Sequence, residues 1–223
     1  MSTAQRRFLI SLAALFSVTC ITAGVLALQN RSSESDWARR DGWQRPQEVM
    51  DELGLSAGSA VADIGAGRGY FTFRLAERVG QFGKVFAVDI DEGELRRLSS
   101  HAKEEGLLQI ATIHSAADDP HLETASLDAI LVVNAYHEMR DYDAMLHGMF
   151  RALKPGGRLA VIDEGSESGK PRSSYHSNHK IPELLVREDA ERNGFRFLRR
   201  PPGFRNADGD DWYFLLFEKP AAQ

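Results

Sequence analysis

The residues with the types and spacing to do chemistry begin at Val61-Ala62-Asp63-Ile64-Gly65-Ala66-Gly67-Arg68-Gly69-Tyr70. Glycines at alternate positions let a backbone bend sharply and leave no side chain between it and a ligand. An apolar run before the turn and a helical pattern after it place the turn between a strand and a helix. The free N–H groups and positive dipole end of that helix face the same spot. This is the design that receives a nucleotide-like ligand at the carboxyl end of a strand. A dinucleotide fingerprint has the form Gly-x-Gly-x-x-Gly. Here the third glycine comes one residue early, and Asp63 would repel a pyrophosphate. A second apolar strand, Lys84 to Asp89, also ends in an acid. A carboxylate there can accept two hydrogen bonds from vicinal ribose hydroxyls. Together these residues suggest an adenosine ligand without phosphates.

A second group of reactive side chains lies downstream. The apolar run Leu127 to Val133 ends in Asn134-Ala135-Tyr136-His137-Glu138. In a doubly wound sheet that point faces the cleft. Histidine's unperturbed pKa lies near neutrality, so His137 could take a proton from an acceptor, and Tyr136 has a ring that can stack on a substrate. Positioning and packing roles compete with both readings. The polar stretch Gly165 to Lys180 carries Tyr175, His176 and His179. It follows a strand and reads as a lid over a substrate. His176 and His179 invite a metal reading with Asp163 or Asn134, but two histidines in a loop are not a ligand set and no third ligand is fixed by spacing, so no metal is expected.

The elements that position these residues follow from periodicity. A helix is expected over Trp43 to Leu53, with Pro46 in its first turn. Another is expected over Tyr70 to Val79, with Phe71, Leu75 and Val79 on one side, ended by Gly80 and Gly83. Glu92 to Glu105 reads as a charged surface helix, and Ile110 to His114 as a third strand. Asp141 is placed to cap a helix whose apolar stripe is Met145, Leu146, Met149, Phe150 and Leu153. Arg158 to Ile162 forms a fifth strand. After a last helix started by Pro182 and ended by Asn193-Gly194, strands are expected over Phe195 to Arg200 and Trp212 to Glu218.

Asp63-x-Gly65-x-Gly67-x-Gly69 followed by Asp89 resembles the class I S-adenosylmethionine-dependent methyltransferases. Leu127 to Val133 is similar to the fourth strand of that family, and Leu153 to Leu159 to the loop before its fifth. The resemblance runs from about Trp43 to Phe217. It implies an α/β, Rossmann-like doubly wound sheet of seven strands, mostly parallel with an antiparallel C-terminal strand, and helices on both faces. It also implies S-adenosylmethionine as cofactor. Gly65, Ala66, Gly67 and Gly69 would admit its methionine end. Asp63 would hold the amino group or orient the turn, Asp89 would bind ribose, and Ile90 would pack on adenine. Asn134 would join them. Family members often place an adenine-binding acid after the third strand. This chain has Ser115-Ala116-Ala117 there, so Asp118 is the candidate, unless Asp118-Asp119-Pro120 is simply a turn. Methyl transfer to a small-molecule acceptor is an in-line displacement that needs alignment more than acid or base.

The chain has 223 residues and a net charge of −5. That balance gives no electrostatic case for nucleic-acid binding. Its single cysteine, Cys20, excludes a disulfide framework. Arg6-Arg7 precedes an apolar run from Phe8 to Leu28, long enough to cross a bilayer as a helix. Residues 1–36 therefore read as a signal peptide or membrane anchor with a linker, and 37–223 as the methyltransferase domain. The leader targets the chain to a membrane without fixing which side the domain faces. An exported domain would lack a cytosolic cofactor, so a non-catalytic binding protein on the same fold is the alternative. A nicotinamide-dependent oxidoreductase is disfavoured by the early third glycine and by Asp63.

Overall fold

The computed structural model describes residues 37–204 and 211–221. The chain divides into two compact units, residues 1–42 and 43–223. In the first unit, the described residues 37–42 are helical. The leader expected over residues 1–36 lies outside the described residues. Among the described residues, no helix is long and apolar enough to cross a membrane.

The second unit opens with α1, Pro46–Glu52. The helix expected over 43–53 is broken at Arg45, whose backbone is left-handed (φ 44°). The ring of Pro46 disfavours right-handed helix at the residue before it, and Pro46 itself takes the first helical position. Then come β1 (Ala60–Ile64), α2 (Tyr70–Val79), β2 (Lys84–Asp89), α3 (Glu92–Glu104) and β3 (Ile110–His114). They are followed by β4 (Leu127–Val133), a 3-10 turn (Tyr136–Glu138), α4 (Tyr142–Ala152) and β5 (Leu153–Glu164). The chain closes with α5 (Arg172–Asn178), α6 (Glu183–Arg192), β6 (Arg196–Arg199) and β7 (Trp212–Glu218).

The seven strands form one sheet in the order β3-β2-β1-β4-β5-β7-β6. β1 pairs in parallel with β2 and β4, while β7 runs antiparallel to both β5 and β6. The central strands are buried, with Val61, Ala62, Ile130, Leu131, Val132, Ala160 and Val161 all fully inaccessible. Continuous burial is what helices on both faces of a parallel sheet require. Pairing reverses direction of travel at β1, with β2 on one side and β4 on the other, so the crevice opens at the carboxyl ends of those strands.

Two expectations need correction. Gly165 to Lys180 is not simply a polar loop, because residues 172–178 fold as α5. Pro171 starts this helix and Tyr175 buries its apolar side, 2% exposed. Asp141 occupies the N-cap of α4, yet its side chain makes no cap hydrogen bond. By contrast, Asp91 caps α3 by accepting from Gly93 N at 2.7 Å and Glu94 N at 3.1 Å, the arrangement that satisfies orphan helix donors.

Candidate active site

The turn after β1 is held by β2. Gly65 N and Ala66 N both donate to the Val88 carbonyl, at 2.8 and 3.1 Å. Gly65 has φ +74°, and a Cβ there would stand 2.3 Å from the Ala135 Cβ. Only glycine lets this turn close against the end of β4. Asp89 locks the same turn from the side: its Oδ2 accepts from Gly67 N at 2.7 Å and its Oδ1 from Asp91 N at 2.9 Å.

A cleft of about 470 Å³ opens at these strand ends, within the range of ligand pockets. Ile64, Gly65, Gly67, Asp89, Ile90 and Ser115 to Ala117 line it on the β3-β2-β1 side. Asn134, Ala135, Glu138, Met139, Arg140, Met145 and His176 line it beyond β4. The first half fits the nucleoside part of S-adenosylmethionine. Each Asp89 oxygen spends one lone pair on the backbone and has another that can accept from a ligand hydroxyl. Ile90 is 63% exposed, an apolar surface beside the carboxylate that a purine would cover. Small residues at Ser115, Ala116 and Ala117 leave room for the base.

The cleft takes in Gly65, Gly67, Asp89, Ile90, Asn134 and His176. Asn134 enters it with φ +53°, a conformation that asparagine tolerates better than most residues. Other expected site residues stand elsewhere. Asp63 is buried, and its Oδ2 accepts from Thr72 Oγ1 at 2.6 Å, so it orients the first turn of α2. Gly69 serves packing: a Cβ there would meet the Phe73 ring at 2.7 Å. Ala66 and Asp118 are not among the lining residues. Asp118 is exposed, and Ser115 to Ala117 face the cleft in its place.

The aromatic pair is structural. Tyr136 is fully buried and donates to Asp189 Oδ2 at 2.9 Å. It does not reach the cleft to stack on a substrate. Burial and then the Asp189 charge push its phenol well above the ordinary value. Asp189 also pairs with Arg172 at 2.6 Å and Arg192 at 2.7 Å, and Arg172 lies over the Tyr142 ring at 3.6 Å. Arg172 is the first residue of α5, so this buried network pins α5 to α6 and α4. Tyr175 is likewise a strut: its hydroxyl accepts from Lys170 N at 3.0 Å and donates to the Glu167 carbonyl at 3.3 Å.

His137 lies behind the cleft wall, its side chain 1% exposed. Its Nδ1 is 2.8 Å from Asp163 Oδ1, and its backbone N donates to Asp163 Oδ2 at 3.1 Å. The fully buried Asp163 carboxylate is an acceptor, so Nδ1 carries the proton and Nε2 points outward. Burial opposes charging the ring, but the hydrogen bond and charge of Asp163, with Glu138 and Glu164, carry its pKa above the ordinary value. His137 Nε2 meets His179 Nδ1 at 3.3 Å and Glu138 Oε1 at 3.7 Å. Glu138 and Arg140 were not among the expected site residues, and Asp163 was considered only as a metal ligand. The parallel register of β4 with β5, Val133 against Ile162, brings the turn after β4 beside Asp163 near the end of β5.

A sequence model of the ubiE/COQ5 methyltransferase family matches residues 37–181. The chain is 30% identical over 162 residues to a ubiquinone/menaquinone biosynthesis C-methyltransferase of Yersinia pestis (strain Pestoides F), covering 70% of this chain and 63% of that protein. The match thus spans under two thirds of the relative's length. Among solved structures, a SAM-dependent methyltransferase from Aquifex aeolicus superposes with a TM-score of 0.67 and 25% identity, over 78% of this chain and 89% of that one. A Haemonchus contortus phosphoethanolamine N-methyltransferase in complex with S-adenosylhomocysteine shares the fold, with a TM-score of 0.66 and 18% identity over 80% of this chain and 53% of that one. With a family match across most of the domain, the chain belongs to the ubiE/COQ5 methyltransferase family.

Proposed function

We propose that this enzyme methylates a ring carbon of a small, apolar, hydroxylated aromatic acceptor. The observation that carries the reading is the two-sided cleft. Its nucleoside half, at Asp89 and Ile90, continues into a half lined by Met139 and Met145 together with Glu138, Arg140 and His176. Methionines adapt to a flat apolar ring, while the charged and imidazole groups suit ring hydroxyls. The relative from Yersinia pestis is a C-methyltransferase of quinone biosynthesis by name, which supports a carbon acceptor on a quinone-like ring. An acceptor of that class partitions into membranes, and the apolar run Phe8 to Leu28 would bring the domain to it.

S-adenosylmethionine supplies, when bound, a methyl group on a positively charged sulfur that departs as a neutral thioether. The chain's part is to align and to exclude water. Asp89 and the glycine turn fix one partner. The end of β4 and α5 fix the other, and α5 is held in place through Arg172 and Asp189. The new carbon–carbon bond forms as the sulfur–methyl bond breaks, and the ring carbon's proton leaves to solvent as the ring regains aromaticity.

The test is incubation of the full chain with S-adenosylmethionine and reduced, demethylated quinone precursors, read by mass spectrometry. A gain of one methyl on a ring carbon, with stoichiometric S-adenosylhomocysteine, is expected. Methyl gain only on oxygen, or none in protein that binds S-adenosylhomocysteine, overturns the assignment.

A further inference from the structure

We propose that His137, Glu138 and His179 form a binding site for a single divalent transition-metal ion, best suited to Zn²⁺, at the acceptor end of the cleft. Sequence spacing hides this set. His137 and Glu138 come from the turn after β4, and His179 from the C-terminal cap of α5. The fold brings one ligand atom of each together. His137 Nε2 to His179 Nδ1 is 3.3 Å, His137 Nε2 to Glu138 Oε1 is 3.7 Å, and His179 Nδ1 to Glu138 Oε1 is 3.6 Å.

That triangle has the size of a metal's ligand face. Donors at ~2.1 Å from a tetrahedral Zn²⁺ stand ~3.4 Å from one another. Octahedral donors at the same bond length stand ~3.0 Å apart, tighter than any of the three edges. Two imidazole nitrogens and one carboxylate oxygen also make a donor set that zinc accepts, with a fourth position left for an exogenous ligand.

The surroundings complete the case. A ligating histidine ordinarily donates its other ring nitrogen to a carboxylate, which fixes tautomer and orientation. His137 Nδ1 does so to Asp163, and Asp163 is itself fixed by the backbone N–H groups of His137 at 3.1 Å and Glu164 at 2.8 Å. The second ligand sits where the helix ends: His179 is the C-terminal cap, with φ 53° and ψ 30°, a left-handed conformation that histidine tolerates better than most residues. Its neighbour Lys180 is tied to Glu164. Among the described residues, Asp163 and Glu138 have histidine partners and no lysine or arginine at the cluster, a charge that a divalent cation balances.

The buried His137 closes one side of the triangle, and Glu138 lines the cleft. His176, one turn before His179, also lines the cleft, and its Nδ1 is buried with no hydrogen-bond partner. Of the three ligands only Glu138 lines the cleft, and it ties the ion to the acceptor's side. Resting on the function proposed above, the ion would bind a ring hydroxyl of the acceptor as its oxyanion, with the hydroxyl proton released to solvent. A metal-bound hydroxyl ionises far more easily than a free one. The negative charge then reaches the ring carbon that takes the methyl group.

The test separates the site from that role. The full chain is stripped with a chelator and titrated with ZnCl₂ by calorimetry, and with Co²⁺ by visible absorption. One ion per chain, with the intense bands of four-coordinate cobalt, is expected. His179→Ala and Glu138→Gln should each weaken Zn²⁺ binding at least ~10-fold, with S-adenosylhomocysteine affinity unchanged in His179→Ala and a thermal melt confirming that both variants are folded. No stoichiometric Zn²⁺ binding by folded protein overturns the proposal, as does binding that survives both substitutions. Because the readout is metal affinity, failure of the acceptor assignment leaves it intact, and its own failure leaves methyl transfer untouched.

Discussion

Replacing Asp89 by alanine isolates the nucleoside end of the cleft. The carboxylate has about four acceptor directions. Two are used on Gly67 N at 2.7 Å and Asp91 N at 2.9 Å, which leaves two for vicinal hydroxyls. Hydrogen bonds to a charged group contribute ~1.5–3 kcal/mol each. They are lost together and do not add in full, so a net loss of ~2–4 kcal/mol is expected. That corresponds to a cofactor affinity ~30- to 1000-fold weaker. Asparagine should rescue little, because its NH₂ would face either the Gly67 or the Asp91 N–H and cannot accept from it. The assay is calorimetric titration with S-adenosylhomocysteine, with a thermal melt as the check on folding. The Gly67 and Asp91 amides remain near solvent when freed, so the melt should shift by only a few degrees. A folded Asp89→Ala protein that binds within twofold of wild type would refute the placement of ribose on this carboxylate, and with it the reading of the β3-β2-β1 half as the nucleoside site.

Asp189→Ala should destabilise the fold by ~1–3 kcal/mol, because it leaves Arg172 and the buried Tyr136 hydroxyl without their carboxylate, while half-exposed Arg192 keeps Asp143; denaturant unfolding measures this. Tyr136→Phe removes one hydrogen bond from the same network and should cost only ~1 kcal/mol, with activity preserved; a large loss of turnover in stable Tyr136→Phe protein would return that ring to the substrate site. Burial works against ionising Asp143, but hydrogen bonds from Arg192 and Asn193 hold its pKa below the ordinary value. A folded-state pKa below the unfolded one contributes stability above the unfolded pKa, and that contribution is lost as pH falls through the folded value. Wild type should therefore lose more stability than Asp143→Asn between about pH 5 and pH 3, and parallel acid-unfolding curves would contradict it.

Local chemistry was readable wherever one stretch of chain decides the outcome. The strand–glycine turn–helix at Val61 to Tyr70, the acid ending β2, and the apolar stripe of α4 are all set by nearest neighbours, and each formed over nearly the expected residues. The resemblance implied seven strands, mostly parallel with an antiparallel C-terminal strand; their order came from the structure. What only the tertiary structure decided lies between segments far apart in sequence. Tyr136 and Tyr175 look like substrate contacts along the chain, yet both are buried struts, because Asp189 lies on α6 and the Glu167 carbonyl folds back over α5. Asp63 and Gly69 belong to the nucleotide-binding pattern, but they serve Thr72 and Phe73 of the helix that follows. The convergence of His137, Glu138, Asp163 and His179 could not be read from spacing at all. It follows from the parallel register of β4 with β5 and from a helix cap that turns His179 back toward the sheet. A sequence specifies which groups can ionise, bond or bend; distances between groups on different strands exist only once the sheet has closed.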